Sequence, residues 1–531
     1  MKFFSGKART SSRIVECGLA IVCLFMLSTA AFAQLPNPTY GWNLGNTMES
    51  TCGVGCWAPA PTQALINSVA NAGFNTIRIP CAWDTHANQS TYQIDSTYMA
   101  QVKQLVDWCY ARGMYVVIND HWDDGWLQSN LTGTYNPTTN AKVKSYWTQI
   151  ANTFAGYDNH LLFACSNEPT ASTSAQISEL FAYYQTFLNT IRGTGGNNSS
   201  RWLVIQGPNT NIDQSYSMTN TLPSDPTPGR LMFEVHYYDP FQFALMESDA
   251  SWGNMFYFWG QAYHSTTMTS RNATWGEESY VDAEFAKMQS KFVNNGIPVL
   301  LGEFGTVRRN GYSDLTGANL SLHLASRTYF DKYIVSSANS HGMRPCYWDE
   351  GRPVESNGFG IFDRNTAALV NTDDGRALTG GPALPPPGSN LVANGTYTIV
   401  GIQSGSALDD PGWSTTSGQQ QDIWAVNGGT NQKWTLTNLG NNVVELVNNV
   451  SNMALEVRGN STSNGAAVDQ APYTGANNQK WTVVKVSTGV YNLKNVNSGQ
   501  MLDVIGAKTA NGTLVDQWPS NGGTNQQWKF Q

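Results

Sequence analysis

The chain has 531 residues, a formal net charge of −8, and charged side chains at 13% of its positions. That length exceeds a single typical domain, so two domains are expected. The acidic balance, with no basic cluster to offset it, excludes nucleic acid as an expected partner.

Residues 1–33 read as a targeting segment. Lys2, Lys7, Arg9 and Arg13 form a basic start, Leu19 to Leu27 an apolar run, and Ala31-Phe32-Ala33 a cleavage site. This is the pattern of a secretory signal peptide, too short in its apolar part to span a membrane. The mature protein is expected to be secreted, monomeric and without membrane association. Cleavage takes 30 basic residues to 26 and 38 acidic residues to 37, leaving a charge of −11. Six cysteines remain. Cys52 and Cys56 can bridge a loop, whereas Cys81, Cys109, Cys165 and Cys346 sit in or beside apolar runs and read as buried thiols. The seven histidines lack metal-site spacing, and no metal or cofactor is expected.

From about residue 40, short β-rich runs alternate with helical patterns. The runs are 40–43, 76–79, 115–119, 161–164, 202–205, 231–235, 298–301 and 344–348. Between them, Met99, Val102, Leu105, Val106 and Cys109 recur at helical spacing, and Gly113 stands where a helix should end. Val143, Tyr146, Trp147, Ile150, Ala151 and Phe154 do the same. Eight strands alternating with helices over 34–379 predict an α/β fold, a (β/α)8 TIM barrel. No Gly-rich phosphate loop follows the first strand, which disfavours a doubly wound sheet. A Pro/Gly linker follows at 380–390. Beyond it, "NQKW" at 431, "NQKW" at 478 and "NQQW" at 525 recur every 47 residues, as do "ALD", "ALE" and "MLD". Three such repeats over 391–531 predict a threefold all-β domain.

In a barrel of this kind, side chains ending the strands face the active site. Here those are Arg78, His121, Asn167, Glu168, His236, Tyr238, Glu303 and Trp348. Two glutamates from different strands suit glycoside hydrolysis, in which one carboxylic acid protonates the leaving oxygen and the other attacks the anomeric carbon. The acid needs desolvation or a nearby negative charge to keep its proton, and the nucleophile needs cationic neighbours. Arg78 suits the task of holding Glu303 charged. His121 and His236 can supply hydrogen bonds to sugar and carboxylates, Asn167 can donate to a 2-hydroxyl, and Trp348 offers a stacking face. Pro169 should end the fourth strand and hold Glu168 toward the site. Trp42, Trp83, Trp122 and Trp126 are each open between sugar platform and packing. The acids of "DDGW" at 123–126 are expected to meet sugar hydroxyls.

The motifs "GWNLGNT", "FNTIRIP", "NDHWDDGW", "SNEP", "VHYYDP", "LLGEFG" and "YWDEG" resemble glycoside hydrolase family 5, the cellulase family of retaining (β/α)8 enzymes, over about 40–375. The resemblance implies Glu168 as acid/base and Glu303 as nucleophile, with Arg78, His121, His236, Tyr238 and Trp348 binding around them. It implies an endo-β-1,4-glucanase acting on a β-linked polysaccharide; xyloglucan, mixed-linkage glucan, mannan and xylan are alternatives within the same chemistry, and a non-catalytic lectin is the alternative of another class. The three Gln-x-Trp repeats resemble the ricin B-type β-trefoil lectins. That likeness implies a carbohydrate ligand held by Asp409, Trp424 and Asn431 in the first repeat and by Asp503, Trp518 and Asn525 in the third. The second has Glu456 and Ala471 and should bind weakly unless Tyr473 substitutes.

Overall fold

The structure is a computed structural model of the chain. It describes Met1 and residues 35–531 apart from 382, 385, 387–391, 441 and 488. The signal-peptide expectation and much of the linker lie outside the described residues.

Eight parallel strands close into a barrel: β1 (Gly41–Leu44), β2 (Thr76–Ile79), β3 (Tyr115–Asn119), β4 (Leu161–Ala164), β5 (Leu203–Gln206), β6 (Leu231–Tyr237), β7 (Val299–Phe304) and β8 (Met343–Asp349). Each pairs with its chain neighbours, and β8 closes the ring against β1. The eight runs expected from the sequence are the eight strands. The helices between them include α1 (Gln63–Asn71), α2 (Ser96–Tyr110), α3 (Pro137–Thr153) and α4 (Ser174–Gly193). Their starts follow from local chemistry. Asp95 accepts from the Tyr98 amide to cap α2, Asn136 precedes a proline at the start of α3, and Thr173 with Gln176 forms a reciprocal capping box on α4. The apolar faces predicted for α2 and α3 are those packed on the barrel, with Val102, Leu105, Val106, Cys109, Val143, Tyr146, Trp147, Ile150 and Ala151 all buried. Gly113 has φ +66°, a left-handed position that glycine takes at little cost.

Strands β6 and β7 run further than the sequence pattern indicated, and a bulge interrupts their pairing. Val235 faces Leu301 and His236 faces Glu303, so Gly302 is the extra residue. A β-carbon on Gly302 would sit 1.9 Å from Glu234 Oε1, which requires a glycine there. The bulge carries Glu303 past the regular ladder and sets it beside His236.

Residues 395–530 form antiparallel strands in three repeats. The tryptophan of each Gln-x-Trp is fully buried, and its Nε1 donates to the carbonyl of Leu408 (3.1 Å), Leu455 (3.0 Å) or Leu502 (3.3 Å). These tryptophans and the surrounding Ile, Leu and Val side chains form the core of a β-trefoil. Among the described residues no helix is long and apolar enough to cross a membrane. Cys52 and Cys56 form a disulfide, and the four other cysteines among the described residues are buried free thiols.

Candidate active site

Arg78, at the end of β2, is completely buried and organises the floor. Its Nη1 donates to Glu303 Oε1 and to Asn43 Oδ1, both at 3.0 Å, and its Nη2 donates to Asn167 Oδ1 at 2.7 Å. Its Nε lies 3.0 Å from Glu234 Oε1. One guanidinium thereby spans four side chains from β1, β6, β7 and the turn after β4. Its planar fork suits it to several simultaneous partners at fixed angles.

His236 bridges the carboxylates. Its Nδ1 lies 2.8 Å from Glu168 Oε1 and 3.6 Å from Glu303 Oε2, and its Nε2 lies 3.3 Å from Glu234 Oε1. Tyr238 donates to Glu303 Oε2 at 3.1 Å. Ligand atoms of Glu168, His236 and Glu303 all lie within 4.8 Å of one another, so the two catalytic candidates share one small site. They form the single group among the described residues close enough to hold a metal ion.

Glu168 stands four residues beyond β4. Its amide donates to Gln128 Oε1 (3.1 Å), and the Pro169 carbonyl accepts from the amides of Ala171 and Asn209, both at 2.8 Å. The proline thus sits in a braced turn, as the sequence suggests, and leaves the Glu168 side chain 42% exposed. A cavity of about 250 Å³ opens beside it, lined among others by Asn209, His236, Tyr238 and Phe241.

The electrostatics differ from the sequence expectation. Burial alone would lower His236, but Glu303, Glu168 and Glu234 raise it to about 9, so it is cationic at neutral pH. Burial works to raise Glu168, yet the bond to that cation holds its carboxyl below the ordinary value. Burial pushes the Glu303 carboxyl up, against the pull of His236 and Arg78. The site therefore keeps its spare proton on the histidine between the two glutamates, because His236 is the group that three carboxylates surround.

His121 takes a different place from the one expected. Its polar contact is with Asn119, not with a carboxylate, and its ring lies parallel to Trp348 at a centroid distance of 5.6 Å and 5° between planes. Burial, then the nearby Arg78 and His236 charges, hold it well below its ordinary value, which makes it a neutral ring extending the Trp348 platform. Trp42 and Trp83 are fully buried, their Nε1 groups bonded to Asp349 and the Asn119 carbonyl, so they are packing. Trp122 is 42% exposed, and the partly buried Trp126 donates to Asp120. Asp123 is not free for hydroxyls: it is buried and accepts from the amides of Asp84 and Thr85.

Sequence reasoning missed Glu234, Asn43 and Gln206. Glu234 is fully buried beneath the site, paired with Arg78 and bonded to Gln206 Nε2 at 2.5 Å. Its signal was available: a charged residue two positions before His236 in an otherwise apolar strand.

In the trefoil, Asp409 Oδ1 accepts from Asn431 (2.9 Å) and Gln432 (2.8 Å), and Asp503 Oδ1 from Asn525 (2.7 Å) and Gln526 (2.9 Å). Trp424 and Trp518 stand beside them, 43% and 44% exposed. The second repeat differs. Arg458 pairs with Asp469 at 2.6 Å, and Ala471 holds the strand position that Trp424 and Trp518 hold in the other two repeats.

Residues 39–352 match the family model "Cellulase (glycosyl hydrolase family 5)". The chain belongs to that family. It is a glycoside hydrolase, and residues 389–471 and 477–531 match the ricin-type β-trefoil lectin domain-like model. Its barrel is 34% identical over 359 residues to Endoglucanase A of Paenibacillus barcinonensis, an alignment covering 62% of this chain and 85% of the relative. It is 33% identical to the xyloglucan-specific endo-β-1,4-glucanase BoGH5A of Bacteroides ovatus, over 62% of this chain and 66% of that one. Among solved structures, a xyloglucan-specific β-1,4-glucanase from a ruminal metagenomic library, in complex with XXLG, is 39% identical with a TM-score of 0.58, covering 64% of this chain and 93% of that one.

Proposed function

We propose that this hydrolase is a secreted, retaining endo-β-1,4-glucanase whose trefoil binds carbohydrate. The observation that carries the reading is the approach of Glu168 and Glu303 oxygens within 4.8 Å on either side of His236. Retention requires carboxyl groups about 5–5.5 Å apart, because no water has to fit between the nucleophile and the sugar, whereas inversion needs a wider gap.

In this mechanism Glu303, oriented by Arg78 and Tyr238, attacks the anomeric carbon as Glu168 protonates the departing oxygen. Glu168 reaches the site with water on one side; a bound sugar displaces that water and raises its proton affinity. Formation of the glycosyl ester removes the Glu303 charge, and Glu168 then takes a proton from the attacking water. Asn167, fixed by Arg78, is placed to meet the 2-hydroxyl, and Trp348 with His121 forms a flat platform for a sugar face.

Xyloglucan is a second reading of the substrate, favoured by the two xyloglucan-specific relatives. Initial rates on carboxymethylcellulose, barley glucan, xyloglucan and mannan decide between them, with the anomer first released followed by NMR. Glu303→Ala is expected to abolish hydrolysis. Glu168→Ala should lose roughly 10²–10⁴-fold on polysaccharide and far less on an aryl glycoside whose leaving group needs no proton. An α-anomer as first product, or full activity in Glu303→Ala, overturns the mechanism.

A further inference from the structure

The first and third trefoil repeats share an acid, an exposed tryptophan and an asparagine, but the first carries one thing more. Trp413 follows Asp409 by four residues and is 52% exposed. Its counterparts 47 and 94 residues on are Asn460 and Ala507. All three occupy the left-handed region, with φ of 57°, 55° and 52°. That region is tolerable for asparagine and costly for a bulky side chain. A tryptophan held there, half in water, gains little burial in return.

Trp413 and Trp424 line the same cavity of about 240 Å³, together with Asp409, Asp422, Asn427 and Asn431. Both tryptophans are about half exposed, 52% and 43%, so each offers ring surface to a ligand in that cavity. Gly429 fixes the first ring: a β-carbon there would lie 2.9 Å from Trp413 Cζ2, so the indole edge rests against bare backbone. At the equivalent Gly523 the nearest atoms belong to Asn521 and Asn525. At the base of the cavity Asp422 Oδ1 and Asn431 Oδ1 are buried and lack hydrogen-bond partners among the described residues. Two aromatic walls over unpaired acceptors suit a ligand with apolar faces and hydroxyl donors at its edge.

We propose that the first repeat is a two-tryptophan clamp, with Trp413 as the second wall, selective for a pyranose whose substituents are all equatorial. Such a ring, of the β-glucose or β-xylose type, exposes C–H surface on both faces. An axial hydroxyl, as in mannose or galactose, puts a polar group against one wall. The inference rests on the reading of the trefoil as a sugar-binding module and adds which repeat dominates and why.

The test is affinity electrophoresis of the full chain carrying Glu303→Ala, in gels containing barley β-glucan or, separately, galactomannan. Trp413→Ala is expected to weaken retention by β-glucan about tenfold, and Trp518→Ala at most threefold, with melting temperatures unchanged because both side chains are on the surface. Trp413→Phe should keep most of the retention. If Trp413→Ala is retained like its parent while Trp424→Ala is not, the site is a single platform and the clamp is wrong. Stronger retention by galactomannan than by β-glucan also overturns it. If Trp424→Ala/Trp518→Ala is retained as strongly as its parent, the trefoil binds no glucan and the underlying reading fails instead.

Discussion

Glu234 is fully buried beneath the proposed catalytic pair, and it sets the charge of its neighbours. It pairs with Arg78, accepts a bond from Gln206, and faces His236 Nε2. Its own carboxyl is held low by Arg78 against the cost of burial. Removing one of three negative charges around His236 must lower that imidazole from about 9. Glu234→Gln is therefore expected to move the alkaline limb of the pH–rate profile to lower pH, with the acid limb little changed. A limb that stays in place under this substitution means that another group controls it. The same neighbourhood explains why identifying Glu168 and Glu303 did not reveal their protonation. Residue types and spacing pointed to two carboxylates; which of three neighbours keeps the proton depends on distances under 4 Å.

At the scale of elements, the bulge between β6 and β7 does the positioning. Gly302 supplies the extra residue and leaves room for Glu234 below it. Gly302→Ala forces a methyl group into Glu234 and should cost about 1–3 kcal/mol or more, visible as a lower midpoint in urea and a loss of kcat. In the trefoil, Asp422 faces Asp409 across one strand pair and Asp516 faces Asp503 across another. Burial, then the opposing carboxyl, pushes Asp422 and Asp516 to about 7. Between pH ~4 and 7 the folded trefoil thus holds more protons than the unfolded chain, so its stability falls as pH rises through that window. Calorimetry of Asp422→Asn/Asp516→Asn is expected to flatten that decline; an undiminished slope refutes the assignment. In the second repeat Asp469 has Arg458 as a partner, a counter-charge that the other two pairs lack among the described residues.

For the whole molecule, a hydrolase barrel and the sugar-binding role proposed for the trefoil make predictions that neither makes alone. With Trp424 and Trp518 both replaced by alanine, kcat/KM on a soluble cello-oligosaccharide should be unchanged, since neither residue lies in the barrel. The rate on insoluble polysaccharide should fall about tenfold, because a tether raises the local concentration of substrate only when there is a surface to hold. Equal losses on both substrates mean that the trefoil acts through the barrel's fold and not by anchoring.

Much of this molecule was legible before any coordinates. The eight strands, the faces of α2 and α3, the trefoil repeats and the strand-end residues all come from short-range periodicity and from motifs a few residues long, which a linear reading preserves. What lay beyond it depends on distant segments meeting. Trp42 and Trp83 became packing, His121 turned from the carboxylates to stack on Trp348, and Asp123 was consumed by a loop. In each case a side chain with two plausible partners chose by proximity in space, and burial then decided its charge. Residue identity determined which chemistry the chain carries; only the closed barrel, by bringing Arg78, Glu168, Glu234, His236 and Glu303 into one desolvated volume, decided how that chemistry is charged.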